Sequence, residues 1–354
     1  MGIAPAVTPG SYPHYVDWLE AGHAAGMHYL EARAEARRHP EHVLNGVRSV
    51  VIVSLVYGQP EATLPGPTQA KVARYARGAD YHEVLWRRLE ELLAWLRQEA
   101  PEVQGKAVAD TAPLLERDFA RMAGIGWVGK NTMLIDRRLG SFTLLGALLV
   151  DVDLEVDEPA TKNYCGSCTR CLDACPTDAF VAPYQLDARK CISYWTIEHK
   201  GPIDESFAPH LNEWVFGCDI CQDVCPWNRK APHGREPELA PRQELTNPDL
   251  IAWLESDPRV FAQSIRRTAL SRSKRTGLLR NAALILGNRR ESKAVPALVA
   301  LLSDQEPVIR CSIAWALGRI ATPEAISALR AHENEKDPLV RGAIQRALVN
   351  SGSR

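Results

Sequence analysis

The sequence has no apolar run approaching the ~18 residues that a membrane helix needs, and no long tract of biased composition in its 354 residues. Its opening segment is interrupted by His14, Asp17, Glu20 and His23, so no secretory signal is read there. Net charge is nearly absent too, with 42 Lys and Arg against 43 Asp and Glu. These absences argue against membrane-spanning, secreted and low-complexity classes. They predict a cytoplasmic globular protein of two or three domains with a sizeable core.

Cysteine, by contrast, is plentiful. There are nine, and eight of them fall in clustered spacings, which in a reducing compartment reads as metal ligation rather than a disulfide framework. The near-zero net charge also hides an asymmetry. Residues 265–354 carry 16 Lys and Arg against 7 Asp and Glu, a net of +9 that leaves −10 for residues 1–264. A basic end on an acidic body suits a polyanionic partner, although a solvated helical surface would give the same count.

Hydrophobic periodicity predicts an α/β region over residues 1–155: a helical stretch over 15–38, a buried strand over 49–57 and a proline-containing loop over 60–69. An amphipathic helix follows over 81–98, with Val84, Leu85, Leu89, Leu92, Leu93 and Leu96 on one face. A short strand ending near Ala109, a helix over 114–123 and strands over 132–135 and 142–150 complete the region, the last two joined as a hairpin through 136–140. Residues 156–230 hold the cysteines, 231–264 form a linker with Pro232, Pro237, Pro241 and Pro248, and 265–354 form a helical repeat. Glu306-Pro-Val-Ile-Arg310 recurs as Asp337-Pro-Leu-Val-Arg341, and Gly287 recurs as Gly318, both at an offset of 31. Paired helices at that period predict a short HEAT-like solenoid. Cys311 lies within it and reads as a small core residue.

The first cysteine group, Cys165-Gly-Ser-Cys168-Thr-Arg-Cys171-Leu-Asp-Ala-Cys175-Pro176, is the bacterial ferredoxin run, whose fourth cysteine serves the other cluster. The second, Cys218-Asp-Ile-Cys221-Gln-Asp-Val-Cys225-Pro226, lacks the middle cysteine, and Cys191 is the obvious replacement. The spacing predicts crossed ligation of two 4Fe-4S clusters. One takes Cys165, Cys168, Cys171 and Cys225; the other takes Cys191, Cys218, Cys221 and Cys175. A zinc ribbon is the competing reading, and two Cys-Pro endings weigh against it.

Gly124-Ile-Gly126-Trp-Val-Gly129-Lys130-Asn131 matches G-x-G-x-x-G and nearly matches a phosphate-binding loop. Both readings fail on context. Asn131 stands where magnesium needs Ser or Thr, and a helix precedes where a strand is required. Close backbone approach to another large ligand stays open.

With these motifs in order, the chain resembles the epoxyqueuosine reductases, cobalamin-dependent enzymes that complete queuosine in transfer RNA. The resemblance runs through Ala73-Arg-Tyr-Ala-Arg-Gly-Ala-Asp-Tyr-His82, Asp110-Thr111, Ala123–Asn131, Gly140-Ser141, both cysteine groups, Cys191-Ile-Ser193 and the repeats. It implies a cobalamin in the N-terminal domain, in a fold like that of reductive dehalogenases. Arg37, Ala73, Leu134, Leu145 and Ser193 would then lie at the corrin, with Asp110 both beside the cofactor and the proton donor. Read without the resemblance, Asp110 and Thr111 before Pro113 look like a helix cap. With it, desolvation by the corrin would raise the Asp110 pKa so that the carboxyl holds a proton.

The implied reaction reduces epoxyqueuosine at the anticodon wobble position, using cob(I)alamin formed with electrons from the two clusters. The implied substrates are the tRNAs for Asp, Asn, His and Tyr, and the implied donor is a flavodoxin or ferredoxin; no membrane partner is expected, and the chain is expected to be a monomer. Lys274, Arg275, Arg280 and Arg310, with Arg289, Arg290 and Arg341, are candidates to grip the anticodon arm. The alternatives are a cobalamin-dependent reductive dehalogenase and an electron carrier or scaffold without cobalamin.

Overall fold

The computed structural model describes residues 1–60 and 63–352. Two residues of the expected 60–69 loop, 61 and 62, lie outside the described residues. The chain forms two compact units interleaved in sequence. The first comprises residues 1–60, 78–191 and 219–240, and the second 61–77, 192–218 and 241–354.

The first unit is built on a four-stranded antiparallel sheet in the order Gly2–Pro5, Ser49–Val56, Thr143–Val150, Gly105–Val108. An antiparallel sheet usually alternates apolar and polar residues. Here the central strands read SVVIVSLV and TLLGALLV because both faces are covered. On one side Leu89 and Leu93 of the helix Tyr81–Glu99 pack on Val51, Leu148 and Val150. On the other, Phe119 and Ala120 of the helix Glu116–Met122 pack with Val43 and Val47 on Ile52, Ala147 and Leu149.

Two expectations are corrected. The 15–38 stretch is not one helix: it divides into Tyr12–Glu20, His28–Ala32 and a 3-10 turn at Glu35–Arg37. The chain reverses at Gly22 (φ +70°) and Ala25 (φ +53°), where helix cannot continue. Nor do the two late strands pair as a hairpin. Leu134–Ile135 pairs with Trp127–Val128, while Thr143–Val150 enters the large sheet. The first strand, Gly2–Pro5, carries no periodicity long enough to announce itself.

The second unit contains a parallel pair, Lys71–Val72 with Trp214–Phe216, a π-helical turn over Tyr194–Glu198, and the solenoid. The solenoid helices are Lys274–Arg289, Val295–Ala300, Pro307–Ile320, Pro323–Ala331 and Pro338–Gly352. Packing explains its 31-residue period. A Cβ on Gly287 would sit 2.8 Å from the Cα of Ala316, and one on Gly318 would sit 2.7 Å from the Cβ of Ala347. Each glycine thus seats the next helix on an alanine, and the two alanines, like the two glycines, stand 31 residues apart. The helix ends repeat as well: Arg290 and Ala321 both stop their helices in the left-handed conformation.

Candidate active site and cluster centres

The cysteines of the first unit are brought together from three separate loops. Arg170–Asp173 and Ile220–Asp223 are single-turn helices, each carrying the middle of a cysteine group. All nine cysteines are free thiols. Burial, and then the neighbouring Cys225, Cys165 and Cys168, push the Cys171 thiol pKa up. The Cys225 thiol is raised by burial and by Cys165 and Cys168. Burial raises Cys221 strongly, and Cys191, Cys171 and Cys175 are the thiols nearest to it. Cys225 therefore lies near Cys165 and Cys168, and Cys221 near Cys191, Cys171 and Cys175. Among the described residues no three His, Cys, Asp or Glu side chains converge on one ion-sized point.

The glycine loop has a structural role. A Cβ on Gly126 would fall 2.2 Å from the carbonyl oxygen of Ile135, so the 127–128/134–135 hairpin itself requires the glycine. Lys130 Nζ donates to the carbonyls of Gly166 (2.7 Å) and Cys168 (3.0 Å) in the first cysteine loop. Asn131 Nδ2 donates to the carbonyl of Cys221, at 3.3 Å, in the second. The loop brackets both cysteine loops.

A second centre lies where the helix Tyr81–Glu99 begins. Asp80 caps that helix, accepting from the backbone N–H of His82 at 3.0 Å. The same oxygen faces His82 Nδ1 at 2.7 Å, and His82 Nε2 stands 3.4 Å from Asp110 Oδ2. Tyr81 donates its hydroxyl to Asp110 Oδ2 at 2.7 Å, and the backbone N–H of Asp110 donates to Glu116 Oε1 at 2.7 Å. Arg117 Nη1 donates to the carbonyl of Thr132 at 2.9 Å.

Asp110 does not cap a helix. The next helix begins at Glu116 with Leu115 before it, and Asp110 sits in a turn with φ +57°. A left-handed aspartate is held only where its surroundings over-determine it. Its proton affinity also runs against expectation. The hydrogen bond with His82 comes first, and with Tyr81 and Arg117 it holds the Asp110 carboxyl below the usual carboxylate range despite opposing desolvation. The side chain is walled by protein on most sides yet remains 63 % exposed, so its hydrogen bonds outweigh burial. Protons reside on the neighbours instead. Burial alone would lower His82, but hydrogen bonds with Asp110 and Asp80 raise it to about 9. Burial, then the Asp110 charge, push Glu116 up to about 8. In this form Asp110 is an anion among stored protons. Sequence reasoning missed His82, Asp80, Tyr81 and Glu116; the run Asp80-Tyr81-His82 inside a quoted motif was the available signal.

The remaining candidates divide by exposure. Leu145 and Ser193 are half-buried and Leu134 is buried. Ala73 is 1 % exposed and packs on Gly217, which leaves no surface for a corrin. Arg37 is buried, with Nη1 on the carbonyl of Arg33 at 3.1 Å and its guanidinium over Tyr15. Arg280 is the clearest correction. It is fully buried, and its guanidinium donates to the carbonyls of Trp195 (2.6 Å), His199 (2.7 Å) and Gly201 (2.8 Å) and to Asn281 Oδ1 (3.0 Å). It satisfies carbonyls that the π-helical turn frees, so it is not presented to a phosphate. Arg275 is paired with Asp304 at 2.7 Å. Arg310 is paired with Glu335 at 3.2 Å and donates to the carbonyl of Asp304. Arg289 donates to the carbonyls of Gly66 and Pro67. Arg341, exposed, donates to the carbonyl of Glu335. Lys274 and Arg290 are exposed.

Comparison with known proteins agrees with this geometry. The chain is 41% identical over 318 residues to an epoxyqueuosine reductase of Xanthomonas campestris pv. campestris, covering 86% of this chain and 88% of the relative. The chain belongs to the epoxyqueuosine reductase family. A Pseudomonas aeruginosa epoxyqueuosine reductase is 39% identical, with 90% of each chain covered. The family profile described as "Epoxyqueuosine reductase QueG, DUF1730" matches residues 37–111, which include Asp80, His82 and Asp110. A "4Fe-4S double cluster binding domain" matches 164–228, and "HEAT repeats" match 264–349. A solved epoxyqueuosine reductase, bound to a tRNA-Tyr stem loop modified with epoxyqueuosine, superposes with TM-score 0.93 at 32% identity, covering 99% of this chain and 94% of that one. A Bacillus subtilis epoxyqueuosine reductase, with an aspartate-bearing catalytic loop swung out of its active site, superposes at 0.91 and 32% identity over the same shares.

Proposed function

We propose that this chain reduces epoxyqueuosine to queuosine at the wobble position of tRNA, with Asp110 as proton donor to the departing oxygen. The observation that carries the reading is an exposed aspartate held in a left-handed turn among proton-bearing neighbours, on a chain of this family. The substrates are the tRNAs for Asp, Asn, His and Tyr, and the compartment is the cytoplasm; no described helix is long and apolar enough to cross a membrane.

The thiol grouping supports crossed clusters, with Cys165, Cys168, Cys171 and Cys225 holding one and Cys175, Cys191, Cys218 and Cys221 the other. Their electrons come from a small one-electron carrier of flavodoxin or ferredoxin type, and the chain acts as a monomer. A cobalamin fits the first unit on one observation. The strand Ser49–Val56 is buried in its first half and only half-buried in its second, where Ser54 Oγ is enclosed without a partner opposite half-exposed Leu145. An apolar floor with one orphan hydroxyl suits a large flat group edged with amides. Leu134 and Leu145 would hold it, and when bound it would supply low-potential electrons to the epoxide.

The chain's own contribution is positioning and proton supply. Asp110, ionised in the form described, must be protonated before it can donate, and His82 and Glu116 stand charged with protons beside it. On the solenoid, Lys274 and Arg290 remain available to contact phosphates.

The test is anaerobic conversion of an epoxyqueuosine stem loop by reduced, cobalamin-loaded protein, read by mass. Loss of one oxygen is the expected result. Protein that retains iron, sulfide and cobalamin yet leaves the epoxide intact overturns the function.

A further inference from the structure

Removing an epoxide oxygen to leave an alkene breaks two C–O bonds, forms one C=C bond and consumes two electrons and two protons, with oxygen leaving as water. In the function proposed above, on which this inference rests, the clusters supply the electrons. A single carboxyl delivers one proton and must then be refilled before the second is needed. We propose that His82, locked by Asp80, is the positioning residue that refills Asp110 and so makes both protons available in one turnover.

The geometry is that of a fixed relay. Asp80 is immobilised as a helix cap, so its 2.7 Å contact with Nδ1 orients the ring and turns Nε2 toward Asp110. The imidazole stacks on Tyr81, with centroids 4.0 Å apart and planes 26° apart, and the Trp86 ring lies tilted at 5.8 Å. These contacts leave the ring little freedom to turn away. Its Nε2 stands 3.4 Å from the Asp110 oxygen that also accepts from Tyr81, a separation that substrate binding can tighten. The charged groups facing His82 are Asp80 and Asp110, with Glu116 and Arg117 ranged around Asp110 itself. Glu116 is the weaker candidate for the relay, because its oxygen contacts the Asp110 backbone N–H and not the carboxylate. Burial opposes protonation of His82, and the two carboxylates overcome it to hold the imidazolium to about pH 9.

The experiment has two readouts. In oxidised holoenzyme labelled with 15N-histidine, the His82 imidazole is expected to titrate near 9 and to move toward the ordinary 6.5 in D80N and D110N. In single-turnover conversion of the stem loop, H82Q is expected to lose about 10²-fold at pH 8, with the deficit shrinking toward pH 5.5, where solvent can refill Asp110. D80N, which keeps the ring, should show the same pH dependence at smaller amplitude and covers the case in which H82Q fails to fold. Titration of His82 near 6.5 in wild type, or an H82Q deficit equal at every pH, overturns the relay while leaving the reductase reading intact. Wild-type protein that binds its cofactors and converts nothing overturns both.

Discussion

Two polar networks in this molecule are built from similar groups and do opposite work. In the second unit, Arg280 and Asn281 are fully buried, and the donors of both side chains meet backbone carbonyls or each other at 2.6–3.0 Å. In the first unit, Asp80, His82, Asp110 and Glu116 are crowded but reach solvent, and both ring nitrogens of His82 face carboxylates. The satisfied network has one arrangement and fixes a backbone turn. The solvent-reaching one gathers titratable groups that shift one another's proton affinity, which is what a proton-transfer site requires. Counting arginines did not separate these roles; burial and partners did.

The comparison breaks at its strongest point with Asp110→Asn. Cobalamin binding should persist, while turnover falls by about 10²- to 10⁴-fold; equal turnover returns the residue to a purely structural role. Next is Arg280→Met, which should destabilise the chain by about 3 kcal/mol or more through orphaned carbonyls, read as a lowered denaturation midpoint. A folded, fully stable Arg280→Met protein that merely binds tRNA more weakly would reverse the correction made for this residue.

A subtler difference lies in pH. Glu116 binds its proton more tightly in the folded state, so its contribution is present below the ordinary 4.5 and is lost as pH rises through about 8. His82 behaves in the same sense, with its contribution present below 6.5 and lost as pH rises through about 9. Glu116→Gln should therefore flatten the stability profile between pH 4.5 and 6.5 while keeping the decline at higher pH. A wild-type profile that rises between pH 4.5 and 6.5 would contradict the Glu116 assignment, and one that rises between 6.5 and 9 would contradict both. The smallest effect belongs to Lys274→Ala, which should reduce the salt slope of stem-loop binding by about one, against no change for Arg280→Met.

Much of this was legible in the residues. The helix Tyr81–Glu99 follows its apolar period closely, and the cysteine spacings announce the double 4Fe-4S cluster domain matched over 164–228. What stayed hidden depends on long-range pairing. The strand Gly2–Pro5 is too short to signal itself, and the Thr143–Val150 run could not reveal that it pairs with Ser49–Val56 rather than its neighbour in sequence. The break at Ala25 hides behind a residue that favours helix. Arg280 looked like its exposed neighbours because sequence records charge and not enclosure. For Asp110, the direction of the pKa depends on His82, brought within 3.4 Å only by the fold.

What the eight clustered thiols hold decides the electron path. Protein purified without oxygen should contain about eight iron and about eight sulfide per chain, as two 4Fe-4S clusters require. Stoichiometric zinc in their place, with no acid-labile sulfide, would contradict the electron path and every proton step built on it.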